Sequence, residues 1–147
     1  MGKVKFSNAD TNYRVRGKKE ITHLIKELFH QENQGLDSII YIICTDGYLL
    51  NINKQFLQHD FYTDIISFDL SDISDKTKGE IYISIERVKD NANTLNIDEQ
   101  TELLRVFIHG ALHLCGYKDK RKSEITIMRE KEDYYLHLFG KHFDSHD

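Results

Sequence analysis

Two histidines in the stretch "HGALHLCGYKDK", His109 and His113, stand four residues apart. On a helix that spacing puts their rings about 40° apart around the axis, on one face of adjacent turns. Such a pair can bind a divalent metal. Eight histidines in 147 residues give roughly 0.4 such pairs by chance, however, so the spacing alone is a weak signal. A second pair, His142 and His146, lies in a polar C-terminal tail and reads as solvated. His109 and His113 instead interrupt the apolar run "LLRVFIHGALHL", where an unpartnered polar ring costs about 1–3 kcal/mol. Either a metal or hydrogen bonds to backbone and carboxylate must satisfy them.

Downstream the chain reads His-x3-His-x2-Gly-x2-Asp. Metzincin-type zinc sites use His-x3-His-x2-Gly-x2-His, with two ligands on a helix and a third swung back by a glycine turn. Gly116 permits that turn, and Asp119 stands where the third histidine would. Carboxylate oxygen binds zinc at about 2.0–2.2 Å, much as imidazole nitrogen does. His109, His113 and Asp119 therefore form a candidate ligand set with one position left for water. Cys115 is the alternative ligand, but at the end of the same helix it should point away from the histidine face. Zinc peptidases of the HExxH type carry a glutamate base directly after the first histidine. Here that position is Gly110, so a peptidase would lack its proton-transfer residue.

The elements that must position these residues follow from periodicity. Ile21, Leu24, Ile25, Leu28 and Phe29 recur at helical spacing within 19–33, with Gly35 placed to stop that helix. "VKF" near the start, the continuous β-branched run "SIIYIIC" (38–44), "TDIISFDL" (63–70) and "GEIYISI" (79–85) read as strands, the second of them buried. Short helices are expected over 46–56 and 86–95. Asn96 with Glu99 predicts a capping box for the histidine-bearing helix, which is apolar nearly all round and so belongs in the core. Gly116 should end it in a left-handed conformation, and a last helix runs from about Ser123 to Phe139. The expected fold is α+β: a single domain over 1–147 with a mixed sheet of about four strands packed with helices, and a flexible C-terminal tail.

Composition bounds the rest. A chain of 147 residues with 39% apolar and 30% charged residues reads as one soluble globular domain. No apolar run nears the roughly 20 residues that span a bilayer, and "MGKVKFSNADTNYRVRGKK" has no secretory h-region. Cys44 and Cys115 read as reduced thiols in the cytoplasm. The net charge of -4 argues against wholesale coating of nucleic acid. Locally, residues 1–26 hold seven Lys or Arg against two acids, and 118–122 hold four against one. Either patch reads as a solvated face or as a basic mouth for a polyanion.

"HGALHLCGYKD" resembles the signature of the YbeY family of rRNA maturation factors, metal-dependent endoribonucleases whose usual form is HGxLHLxGYDH. "LNINKQFLQHDFYTDIISF" and "GEIYISIERVKDNA" resemble two further blocks of that family, in the expected order over residues 49–119. The resemblance implies a cytoplasmic protein that binds zinc, or another divalent ion, one per chain. It further implies action on ribosomal RNA of the small subunit, in 3′-end maturation and ribosome quality control. By position the ligands are His109, His113 and Asp119. Thr63, Asp64 and Ser67 would shape the site from the sheet, a purely structural role being equally open. Three departures stand out. Asp119 replaces the usual histidine, which should acidify bound water less and favour harder ions. Leu57 stands where the family has an arginine that is taken to help with phosphate, leaving Lys54 or His59 as possible substitutes. Tyr62 replaces a proline.

The expected chemistry is metal-assisted cleavage of an RNA phosphodiester, with the metal polarising a phosphoryl oxygen and positioning its water. Lys118, Lys120, Arg121 and Lys122 would hold neighbouring phosphates, and no general base is assignable. Two other readings keep the same site: a non-enzymatic ribosome-assembly factor with a structural metal, and a zinc peptidase drawing a carboxylate from elsewhere in the chain. Sequence assigns no oligomeric state.

Overall fold

The computed structural model describes residues 2–58, 62–72 and 76–143, with side chains as far as Gly140. In chain order the elements are β1 (Lys3–Asn8), α1 (Lys18–Gln31), β2 (Gly35–Cys44), α2 (Asp46–Phe56), β3 (Ile65–Asp69), β4 (Lys76–Ser84), α3 (Ile85–Leu95), α4 (Glu99–Leu114) and α5 (Lys122–Phe143). The strands form one mixed sheet in the order β1-β2-β4-β3. β1, β2 and β4 run parallel, and β3 pairs antiparallel with β4, Phe68 opposite Glu80. This is the expected α+β architecture. The expected tail, 144–147, with His146, lies outside the described residues, as does the side chain of His142. Among the described residues no helix is long and apolar enough to cross a membrane.

Helix α4 is the spine of the fold. Nearly every side of it is apolar, and Leu103, Phe107, Ile108, Ala111 and Leu112 are fully buried. It lies across one face of the sheet with α1, and Tyr41 of β2 donates its hydroxyl to the Phe107 carbonyl at 2.8 Å. Gly110 sets how closely helix and sheet approach. A Cβ there would come within 2.9 Å of Ile65 Cδ1 and 3.0 Å of Ile81 Cδ1. The other sheet face carries a smaller cluster of Cys44, Leu49, Ile52 and Ile66 under α2. Beyond α2 that face stays partly exposed. Of the run expected to be buried throughout, Ile39, Tyr41 and Ile43 are fully buried, while Ile40 and Ile42 are only half-buried.

Two chain reversals differ from expectation. Helix α1 ends not at Gly35 but at Asn33, which takes the left-handed conformation (φ 63) while Gln34 N–H bonds the Phe29 carbonyl; Gly35 opens β2. Asn96 does not cap α4. It closes α3 in a left-handed conformation (φ 54), and Ile97 N–H returns to the Ala92 carbonyl at 3.0 Å. The cap position of α4 falls to Asp98 without a side-chain bond, and Glu99 accepts instead from Tyr13 at 3.3 Å. Gly116 does take positive φ (104) after α4, as the sequence requires.

Candidate metal centre and the cavity around it

Helical spacing places His109 and His113 side by side on α4, ring centroids 4.6 Å apart. The turn at Gly116 brings the following loop back over them. Asp119 Oδ2 lies 3.2 Å from His109 Nε2 and 3.4 Å from His113 Nε2. These separations match the edge of a tetrahedron, about 3.3 Å when metal–ligand bonds are about 2.0–2.1 Å. The three donor atoms lie within 4.8 Å of one another, and among the described residues no other group of His, Cys, Asp and Glu converges in this way. Cys115, expected to face away from the histidines, packs against the main core and is not part of this group.

Both rings are oriented from behind. His113 Nδ1 lies 2.9 Å from the Tyr117 carbonyl, which can only accept, so Nδ1 carries the proton and Nε2 offers its lone pair. His109 Nδ1 meets Glu132 Oε2 of α5 at 2.6 Å, and Arg105 fixes the other oxygen of that carboxylate at 3.0 Å. A ligating imidazole backed by a carboxylate or a carbonyl is the usual arrangement at metal sites. Burial pulls the His109 pKa down, but the bond and charge of Glu132, with Asp119 and Asp64 behind it, raise it overall. For His113, burial and the neighbouring His109 win, and its pKa falls.

The loop bearing Asp119 is pinned as well. Tyr117 donates its hydroxyl to Glu32 at 2.6 Å, and Glu32 also accepts from Tyr135 and Lys131 of α5. One carboxylate at the end of α1 thus ties the loop bearing Asp119 to the last helix.

The histidines open onto a cavity of about 980 Å3. Its walls include Asn53 from α2 and Leu57 at its C-cap, Thr63, Asp64 and Ser67 around β3, Asn91 from α3, and Glu102, Arg105, His109 and His113 from α4. Asp119 and Lys120 from the loop, with Ile125, Met128, Arg129 and Glu132 from α5, also line it. The three candidate ligand side chains keep 20%, 28% and 37% of their surface exposed (His109, His113, Asp119), so the site is reachable from solvent. Asp64 accepts from Asn91 at 3.5 Å; burial, helped by the charges of Glu132 and Asp119, raises its pKa despite His109. Ser67 Oγ and Glu102 Oε1 are buried with no hydrogen-bond partner among the described residues.

The profile of the family Endoribonuclease YbeY matches residues 4–140. The chain belongs to the YbeY family. A YbeY relative from Cytophaga hutchinsonii, named endoribonuclease, is 47% identical over 133 residues, 90% of this chain and 93% of the relative. One from Flavobacterium psychrophilum, with the same name, is 46% identical over 90% of this chain and 94% of its own length. The solution structure of a Thermotoga maritima protein, 26% identical, superposes with a TM-score of 0.64 over 97% of this chain and 93% of that one.

Set against the YbeY resemblance, Thr63, Asp64 and Ser67 do line the cavity, and so does Leu57, at the place of the family arginine. Of the basic turn, Lys120 alone reaches the cavity lining. Lys118 is exposed in the loop, Arg121 lends its backbone N–H to Glu124 at 2.8 Å, and Lys122 opens α5. Lys54 sits in the last turn of α2, where Asn53 and the C-cap Leu57 line the cavity; His59 lies outside the described residues. Glu132, Arg105, Glu102 and Arg129 were not marked out by sequence. The readable signal was Glu132 itself, a charge on the buried stripe between Met128 and Tyr135.

Proposed function

We propose that this chain, acting as one YbeY-like unit, is a metal-dependent endoribonuclease. It cuts single-stranded ribosomal RNA in the cytoplasm, in maturation of the small-subunit 3′ end and in ribosome quality control. The observation that carries the reading is the meeting of His109 Nε2, His113 Nε2 and Asp119 Oδ2 at the wall of an open cavity. We assign His109, His113 and Asp119 as ligands of one zinc ion. Three protein ligands with an open position is the pattern of catalytic rather than structural zinc. When bound, the ion supplies Lewis-acid polarisation of a phosphoryl oxygen and lowers the pKa of water.

The chain's own residues do the rest. Glu132 and the Tyr117 carbonyl hold the two rings with Nε2 toward Asp119. Asp64, which lines the cavity and accepts from Asn91, is the carboxyl we assign to exchange a proton with the leaving oxygen. Ser67 Oγ offers a hydroxyl to the substrate backbone. A peptidase could also use a nearby carboxyl such as Asp64, so the choice of RNA over peptide rests on the family. In the test, purified protein is offered a ribosomal RNA fragment and a peptide library before and after chelation. RNA should be cut only with metal present. Undiminished RNA cleavage after metal removal, or cleavage of peptides alone, would refute the assignment.

A further inference from the structure

We propose that Arg129 is the residue that grips the RNA phosphate in this cavity, an inference that rests on the nuclease reading above. Three Lys or Arg side chains line the cavity among the described residues: Arg105, Lys120 and Arg129. Arg105 is committed. It bonds Glu132 at 3.0 Å and Asp133 at 3.3 Å and lies 3.9 Å from Glu102, so pulling it toward substrate would release the carboxylate that orients His109. Lys120 is a point charge on the ligand loop. Arg129 is exposed and, among the described residues, makes neither hydrogen bond nor ion pair.

Its placement fits the task. Ile125, Met128, Arg129 and Glu132 form the stripe of α5 that faces the cavity. Arg129 is therefore within one helical turn of the carboxylate behind His109. Arg129 lines the same cavity as Glu102 of α4. A guanidinium is a rigid fork of donors that matches two phosphate oxygens at once, which an ammonium cannot do. The lining residues from α2 and its C-cap, Asn53 and Leu57, are both uncharged. Arg129 of α5 supplies, in the same cavity, the cation that position 57 lacks.

The test measures binding and cleavage of one labelled single-stranded ribosomal RNA fragment. Binding is followed by fluorescence anisotropy on chelated protein and cleavage on metal-loaded protein. Arg129→Ala should weaken binding and lower kcat/KM by about 10- to 100-fold, the usual worth of a charged hydrogen bond. Metal content and Tm should not move, since the residue is exposed. The slope of log affinity against log salt should become shallower by about 0.7, one single-strand phosphate contact. Arg129→Lys should recover only part of the loss. Leu57→Arg in the Arg129→Ala background should recover more, because position 57 lines the same cavity and is 40% exposed. Lys26→Ala, on the exposed side of α1, controls for general loss of charge. Wild-type binding and salt slope in Arg129→Ala, or an equal loss in Lys26→Ala, would overturn the proposal. A wild-type protein that cuts no RNA would sink the nuclease reading instead, while the binding arm would still decide Arg129.

Discussion

A metal ligand is only as good as the group behind it, and Glu132 is that group for His109 in the proposed site. Burial pushes its carboxyl pKa up, but His109 and Arg105 outweigh burial and lower it, so Glu132 stays ionised against the ring. Glu132→Gln keeps the shape and removes the charge. We expect metal affinity to fall about 10- to 100-fold, measured by competition with a chromogenic chelator. Unchanged affinity would show that the 2.6 Å contact does not orient the ligand. His109, His113 and Asp119 were legible in the sequence because eleven residues of helix and turn contain all three. Glu132 and Arg105 were not, because their meeting depends on how α5 packs against α4, and no local spacing encodes that.

At the scale of elements, Gly110 acquires a second meaning. Its lack of a carboxylate set the chain apart from HExxH peptidases, and the fold explains why that position is small. It faces Ile65 and Ile81 where α4 lies closest to the sheet. Gly110→Glu would drive a carboxylate into that contact, at a cost of about 3 kcal/mol or more from overpacking and burial of charge. We expect a sharp fall in Tm, read by thermal unfolding, without peptidase activity. A stable variant that hydrolyses peptides would contradict this. Helix α4 itself was legible, since an apolar surface on nearly every side permits no place but the core. Its cap was not. Asparagine serves both to open a helix and to close one in the left-handed conformation, and the short link between α3 and α4 gave no sign of which helix would take Asn96. The half-exposed Ile40 and Ile42 were missed for a related reason: a β-branched run marks a strand inside a sheet, not how much of each face is covered.

Across the whole molecule, Glu32 joins α1, the ligand loop and α5. Burial would raise its pKa, but bonds from Tyr117, Tyr135 and Lys131 lower it below the ordinary value of 4.5. A carboxyl with a depressed folded pKa stabilises above its unfolded pKa, and the stabilisation is lost as pH falls through the folded value. Wild type should therefore exceed Glu32→Gln by about 2 kcal/mol at neutral pH, with the gap closing below about pH 4.5. Chemical denaturation across pH measures it, and a gap independent of pH would assign the effect to packing alone.

The most direct test of the central claim is metal content and RNA cleavage measured on the same preparations of wild type, Asp119→His and Asp119→Ala. The account predicts one ion per chain with cleavage in wild type, both retained in Asp119→His, and both largely lost in Asp119→Ala. Equal metal content and equal cleavage in all three proteins would mean that Asp119 is not a ligand and that the site does not work as described.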